Sequence, residues 1–417
     1  MCAARPLPLA FMTGCLVAAF CIPAAAAEPS ARVTFTEAAP AAAKEPSVTA
    51  IGLRAAATPA SPAQVVVLVD TSATQSGGFR QRSLEALSGL LESARPDDRF
   101  TLTAVDVSSV PLCEGFHAAG SDAIRQAVRK LDARTPLGTT DIVTVLEDAV
   151  ARFDGPGSRA IVYIGNGPGL GGVDPDEFAR LVDVLRSNHS AVSCLGIGPQ
   201  INWQCLAAVV AHSGGMLSVP DGDADAKKAG AKLGGQAVQS VVWPLEMALE
   251  SQSPDGGLRM LPTRLPPLRA DRDSIVLIEG VLHDATIELS LGEPAAPQRV
   301  AVPIPAAEPK PDNAYLSELA RNARGSDGLF LPVVGREGLV HARNVIRGEA
   351  TSLALLAAQA EAAGAHGSAV RLAEASLRRD PSNKDATMIH EASLRQPGAA
   401  AALPEPLPAG GDDELNQ

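Results

Sequence analysis

The run VVVLVDTSAT at residues 65–74 constrains this chain more than any other segment. Five consecutive apolar residues lead without interruption into Asp70, and Ser72 and Thr74 follow at two-residue spacing. An unpunctuated apolar run of this kind predicts a strand buried on both faces, which requires a parallel sheet covered by helices. Ligands of doubly wound sheets sit outside the carboxyl ends of the strands, and Asp70 stands at that end. One carboxylate and two hydroxyls there can converge on a hard cation such as Mg²⁺ or Ca²⁺. They can equally cap the following turn by satisfying its backbone N–H groups.

The alternation continues through residues 64–219. Strands are predicted at 65–70, 100–106, 160–164, 191–197 and 216–219, with a short edge strand at 111–116. Helices are predicted at 80–93, 121–131, 141–153, 175–185 and 202–211. Ser121 is placed to cap the second helix, and Asp174 or Pro175 opens the fourth. The expected fold class is α/β: a doubly wound, mostly parallel six-strand sheet over residues 64–220.

Two further elements lie at the same sheet edge in this reading. A Gly-bearing loop, PLGTTDI, brings Thr140 to the start of a helix, with Thr139 the alternative if the register slips by one. The strand at 160–164 runs into Gly165-Asn166-Gly167. Asp70, Ser72, Thr74, Thr140 and Asn166, in this order, resemble the metal-ion-dependent adhesion motif of von Willebrand factor A-type (vWA) domains. The resemblance implies an interaction or adhesion protein that binds a protein partner through Mg²⁺, or Mn²⁺ or Ca²⁺, and performs no catalysis. Thr74 stands where serine is usual and keeps the hydroxyl. Asn166 stands where the family carries an aspartate; it keeps a carbonyl oxygen and loses a full negative charge. The resemblance therefore implies a weakened site, and no cation at all if the site is degenerate.

The flanking regions read differently. Residues 1–27 form a secretory signal, with Arg5 the only charge, an apolar run to Pro23 and small residues before Glu28. Pro8 and Pro23 make that run short for a stable membrane span, and Cys15 offers a less favoured lipoprotein cleavage site. Residues 28–63 read as a linker with short accessory strands at 31–36 and 47–53. Residues 221–305 read as a helix at 224–238 plus a β-rich accessory unit with strands at 241–249, 274–280, 285–290 and 299–302. Strands of the 241–305 region are expected to pair with those of 28–64, because both sets need partners for their backbone groups. The phrase RLPPLRADRDSIVLIEG in that unit matches no catalytic motif. Residues 311–395 form a helical segment, with helices at 313–323, 341–363, 368–378 and 384–394. The piece AEASLRRDPSNKDA resembles a tetratricopeptide junction, but no 34-residue period accompanies it, so a plain helical hairpin is preferred. Residues 396–417 form an acidic, Pro-rich tail expected to be disordered.

Composition narrows the function. The chain has 417 residues, is 46% apolar and carries a net charge of −12, without a basic stripe. That balance argues against nucleic acid or an anionic membrane as partner, and no integral membrane segment is expected in the mature chain. Export to the periplasm, cell envelope or medium follows from the signal. After its removal Cys113, Cys194 and Cys205 remain, an odd number that is no disulfide framework. Cys194 and Cys205 either pair or stay as buried thiols. Gly167, Gly169 and Gly172 match G-x-G-x-x-G, but Asp174-Pro175 opens the helix later and the next strand ends without a carboxylate, so no dinucleotide site is expected. The histidines form no local triad, and Ser72 lacks the G-x-S-x-G elbow of hydrolases. The expected function is an exported interaction protein. A metal-free structural scaffold of the envelope and an enzyme with a distributed site are the alternatives.

Overall fold

The structure is a computed structural model that describes residues 30–41, 45–155, 157–169, 172–220, 225–251 and 257–396. The signal expected at 1–27 and the tail beyond Gln396 lie outside the described residues.

Two antiparallel strands come first, β1 (Ala31–Ala39) and β2 (Val48–Ala55). The chain then enters β3 (Ala63–Asp70), the apolar run that ends at Asp70. Its sheet is completed by β4 (Arg99–Val105), β5 (Ser109–Pro111), β6 (Ser158–Gly165), β7 (Ser190–Gly196) and β8 (Leu217–Ser218). The order is β5-β4-β3-β6-β7-β8, with β5 alone antiparallel. This is the six-strand sheet that the apolar alternation predicts. The edge strand falls at 109–111 rather than at 111–116.

Six helices cover the sheet: α1 (Gly78–Glu92), α2 (Asp122–Asp132), α3 (Ile142–Val150), α4 (Pro175–Ser187), α5 (Trp203–Ser213) and α6 (Ala226–Ala237). Period-2 alternation along β3 explains the two layers. Val65, Val67 and Val69 enter a core with residues of α1, α2 and α6. Val66 and Leu68 enter the opposite core with α3, α4 and α5. Caps set the helix starts: Ser121 Oγ accepts from Ile124 N–H, Asp141 from Thr144 N–H, and Asp174 from the N–H groups of Asp176 and Glu177 ahead of Pro175. Helix α6, assigned from sequence to the accessory unit, packs on α1 and belongs to the α/β domain. Gly89 and Gly230 let the two backbones close: a Cβ on Gly230 would lie 1.9 Å from the Ala86 carbonyl oxygen.

The remaining chain builds a base. It comprises β9 (Val241–Val242), β10 (Glu246–Glu250), β11 (Arg259–Leu261), β12 (Leu268–Arg269), β13 (Ser274–Glu279), β14 (Thr286–Glu293) and β15 (Ala296–Pro303). The single strand expected at 241–249 is two strands in different sheets, because Pro244 lies between them and cannot donate to a ladder. β2 pairs with β13, from Val48 with Glu279 to Leu53 with Ser274, as the need for backbone partners requires. The order β1-β2-β13-β11 makes β2, the accessory strand expected at 47–53, an internal strand of a sheet. Ile51, Leu53, Val276 and Ile278 face Ile287, Leu289 and Leu291 of the β10-β14-β15 sheet. The other face packs against α7 (Tyr315–Arg324) and α8 (Gly335–Ala362). Helices α9 (His366–Arg379) and α10 (Lys384–Leu394) stack on α8. Helix α8 starts six residues before its expected boundary at 341.

Arg269 and Arg272, both buried, join the base to the α/β domain. Arg269 donates to the carbonyls of Gly214 and Gln236 and forms a paired contact with Asp271. Arg272 donates to the carbonyls of Val210 and Gly215. These carbonyls lie at the carboxyl ends of α5 and α6, where helices leave acceptors unpaired and favour positive charge. The phrase RLPPLRADRDSIVLIEG thus carries an interdomain fastening.

Candidate metal centre

Three loops meet at the carboxyl edge of the sheet. The loop after β3 turns back so that Thr71 N–H donates to Val105 O, and Gln75 N–H to Ser72 O. The loop before α3 docks on it: Leu137 N–H donates to Thr71 O, and Ala73 N–H to Gly138 O. Gly138 has φ +73° there, a left-handed conformation that glycine adopts without a side-chain penalty. The third loop follows β6, and Asn166 O accepts from Asn202 N–H at the start of α5.

Asp70 is fully buried. Its Oδ1 accepts the Ser72 N–H at 2.8 Å and its Oδ2 the Tyr163 hydroxyl at 2.7 Å. The Tyr163 oxygen in turn accepts the Gly167 N–H at 3.0 Å. Burial, and next the neighbouring Asp70 charge, raise the Tyr163 pKa well above the ordinary phenol value, so the phenol stays a donor. Gly165 makes room for this contact: a Cβ there would sit 2.4 Å from Asp70 Cβ and 2.6 Å from the Tyr163 hydroxyl.

The hydroxyls form the outer part. Ser72 Oγ and Thr74 Oγ1 lie 2.9 Å apart, and Thr74 donates to Asn166 Oδ1 at 3.2 Å. Gln75 Nε2 donates to the same Oδ1 at 3.1 Å and to Ile197 O at 2.8 Å. Both lone pairs of the Asn166 oxygen are therefore engaged. Asn166 Nδ2 points the other way and donates to Gln200 O at 3.3 Å. Thr140 is 5% exposed, and its Oγ1 is buried with no hydrogen-bond partner among the described residues.

One more carboxylate stands near the rim. Asp106 accepts from Arg134 at 2.7 Å and from Thr71 Oγ1 at 3.2 Å. Burial works to raise its pKa, but the hydrogen bond and charge of Arg134 hold it below the usual carboxylate value. That charge is spent on Arg134.

The structure thus links Asp70, Ser72, Thr74 and Asn166 by a chain of short contacts and sets Thr140 on a loop docked against the same turn. Sequence reading missed Tyr163 and Gln75. Their signal was present: a phenol inside an aliphatic strand and a buried amide must each find polar partners. Among the described residues no group of three or more His, Cys, Asp or Glu side chains could hold a metal. The donors here are one carboxylate, three hydroxyls and an amide, all oxygens, which suits a hard cation rather than a transition metal. The unpartnered Thr140 hydroxyl supports that fit, since a buried acceptor left unpaired is costly unless something binds it. Cys113, Cys194 and Cys205 are free thiols, and burial pushes the Cys205 pKa up to about 12.

Residues 63–219, which form this α/β domain with the loops at its carboxyl edge, match the model of the von Willebrand factor type A domain family. The chain is 24% identical over 174 residues to human inter-alpha-trypsin inhibitor heavy chain H4. That match covers 39% of this chain and only 19% of the relative's length. Among solved structures, a von Willebrand factor type A protein from Catenulispora acidiphila is 15% identical, with 89% of this chain and 97% of that chain covered and a TM-score of 0.47. The ArnB paralog VWA2 from Sulfolobus acidocaldarius is 12% identical, with 88% and 93% covered and a TM-score of 0.44. The manganese-loaded TRAP protein of Plasmodium vivax is 15% identical, with 43% and 74% covered and a TM-score of 0.35.

Proposed function

We propose that this chain is an exported interaction protein whose vWA domain binds an acidic group of a protein partner through a divalent cation. Asp70, Ser72, Thr74 and Thr140 would hold the ion, Mg²⁺ in the first instance with Mn²⁺ or Ca²⁺ as substitutes, and Asn166 would orient it from the far loop. The buried, unpartnered Thr140 hydroxyl carries this reading, because it is an oxygen donor at the sheet edge with no ligand of its own. One carboxylate makes a weak site, and an aspartate or glutamate from the partner would supply the missing charge. The signal-like segment at 1–27 supports export, and no helix among the described residues is long and apolar enough to cross a membrane. This reading assigns the chain no catalytic role.

A metal-free scaffold is the second reading. It is favoured by a different observation: both oxygens of Asp70 and the oxygen of Asn166 already have protein donors. Calorimetric titration of Mg²⁺ and Mn²⁺ into the wild type and Asp70→Ala separates the two. Saturable binding lost in D70A supports the cation reading. Absence of binding to both proteins, with and without an acidic partner peptide, leaves the scaffold.

A further inference from the structure

A concavity about 970 Å³ in volume opens between the α/β domain and the base. It shares no lining residue with the centre around Asp70, and it lies at the upper end of the range for ligand sites. Two sheets end at it. β1 contributes residues 32–35 and is the outer strand of its sheet; β8 is the outer strand of the six-strand sheet. Among the described residues β8 pairs only with β7. β1 pairs only with β2, apart from a bridge from Ala38 to Pro309 beyond the cleft. An outer strand leaves a row of N–H and C=O groups that another strand can complete.

The cleft also has an excess of positive charge and of donors. Its carboxylates Asp271 and Asp273 are committed to Arg269 and Arg54, leaving only the exposed Glu337. Arg32 and Lys232 are exposed and have no hydrogen-bond or ion-pair partner among the described residues. Arg272 is 5% exposed and donates to the backbone carbonyls of Gly215, Asp273 and Val210, with no carboxylate in ion-pair contact among the described residues. The indole N–H of Trp203, also on the wall, is buried without an acceptor. A buried cation served only by neutral acceptors gains from an incoming anion, because desolvation has already been incurred.

We propose that this cleft receives an extended acidic segment of a protein partner, which adds as a strand to the open edge of β1 and sets its carboxylates against Arg32 and Lys232. Main-chain bonds to the edge give affinity, and the flanking cations select the side chains that point toward them. The site is independent of the cation reading.

The test uses a blocked six-residue peptide of alternating Val and Glu, titrated by calorimetry in excess EDTA. Saturable binding is expected, weakened at least tenfold in the Arg32→Glu, Lys232→Glu double variant, both positions being exposed and unpaired. A peptide with Gln for Glu is expected to bind more weakly, and N-methylation of alternate backbone amides to abolish binding. D70A is expected to leave it unchanged, so failure of the cation reading does not affect this result. No binding at millimolar peptide overturns the proposal, as does equal binding by the double variant or by the N-methylated peptide. Full displacement by equimolar inorganic phosphate marks a simple anion site and overturns strand addition. Loss of binding in D70A places the peptide at the other site and overturns it too.

Discussion

The phenol of Tyr163 donates a 2.7 Å hydrogen bond to Oδ2 of Asp70, and both residues are fully buried. Because the same oxygen accepts the Gly167 N–H, one side chain from β6 fixes both the carboxylate and the turn that carries Asn166. Tyr163→Phe keeps the ring and removes both bonds. It is expected to lower unfolding free energy by about 1–3 kcal/mol, the usual cost of leaving buried partners unsatisfied. Urea denaturation of the two proteins measures this, and equal midpoints would mean that the bonds do not form in solution.

Asn166→Asp is expected to have opposite effects on cation binding and on the cation-free fold. The new oxygen would face Gln200 O, where Asn166 Nδ2 now donates at 3.3 Å, so the fold without cation loses stability. A second carboxylate near an ion is worth several kcal/mol at an effective dielectric of about 20, before desolvation is subtracted. The net gain in Mn²⁺ affinity is expected to be at least about tenfold, or about 1.4 kcal/mol. Calorimetry reads the affinity, and thermal melts with and without Mn²⁺ read the crossover. Unchanged affinity would show that position 166 does not face the ion.

Arg269→Met and Arg272→Met test the fastening between domain and base. R269M leaves a carbonyl at the end of each of α5 and α6 without its charged donor and strands Asp271, and R272M leaves two carbonyls at the end of α5 without theirs. Losses of about 2–4 kcal/mol are expected from charged hydrogen bonds broken in a buried place. Hydrogen exchange should rise first at 210–215 and 241–242. Uniform exchange changes across the chain would show that the arginines are not local ties.

His212 makes stability depend on acidity. It is 2% exposed, its Nε2 lies 2.9 Å from Leu329 O, and burial lowers its pKa to about 4. The unfolded chain binds a proton near pH 6.5 and the folded one only near pH 4, so the contribution is fully present above 6.5 and is lost as pH falls. The loss by pH 4 is on the order of 3 kcal/mol. Melts from pH 7 to 4.5 should show the decline in wild type and a shallower one in His212→Gln.

The sequence by itself determined the alternation of the α/β domain and the strand ending at Asp70, because apolar periodicity and helix caps are local properties that survive without tertiary context. Ser121 and Asp174 cap where their neighbours require it, and Thr140 and Asn166 stand on loops whose order along the chain already places them at one edge. Other features depended on residues distant in sequence, and only the tertiary structure decided them. Tyr163 reads as one more core residue until Asp70, ninety-three positions away, is found against its hydroxyl. The strand expected at 47–53 has no specified partner or register until β13 pairs with it and makes it an internal strand. α6 shows which domain it serves only through the close approach of Gly230 to Ala86. The two arginines of the RADRD stretch look like surface charges until the carbonyl ends of α5 and α6 arrive to receive them. Local pattern specifies which face an element buries; what it is buried against is set by chain closure over hundreds of residues, which no short-range pattern encodes.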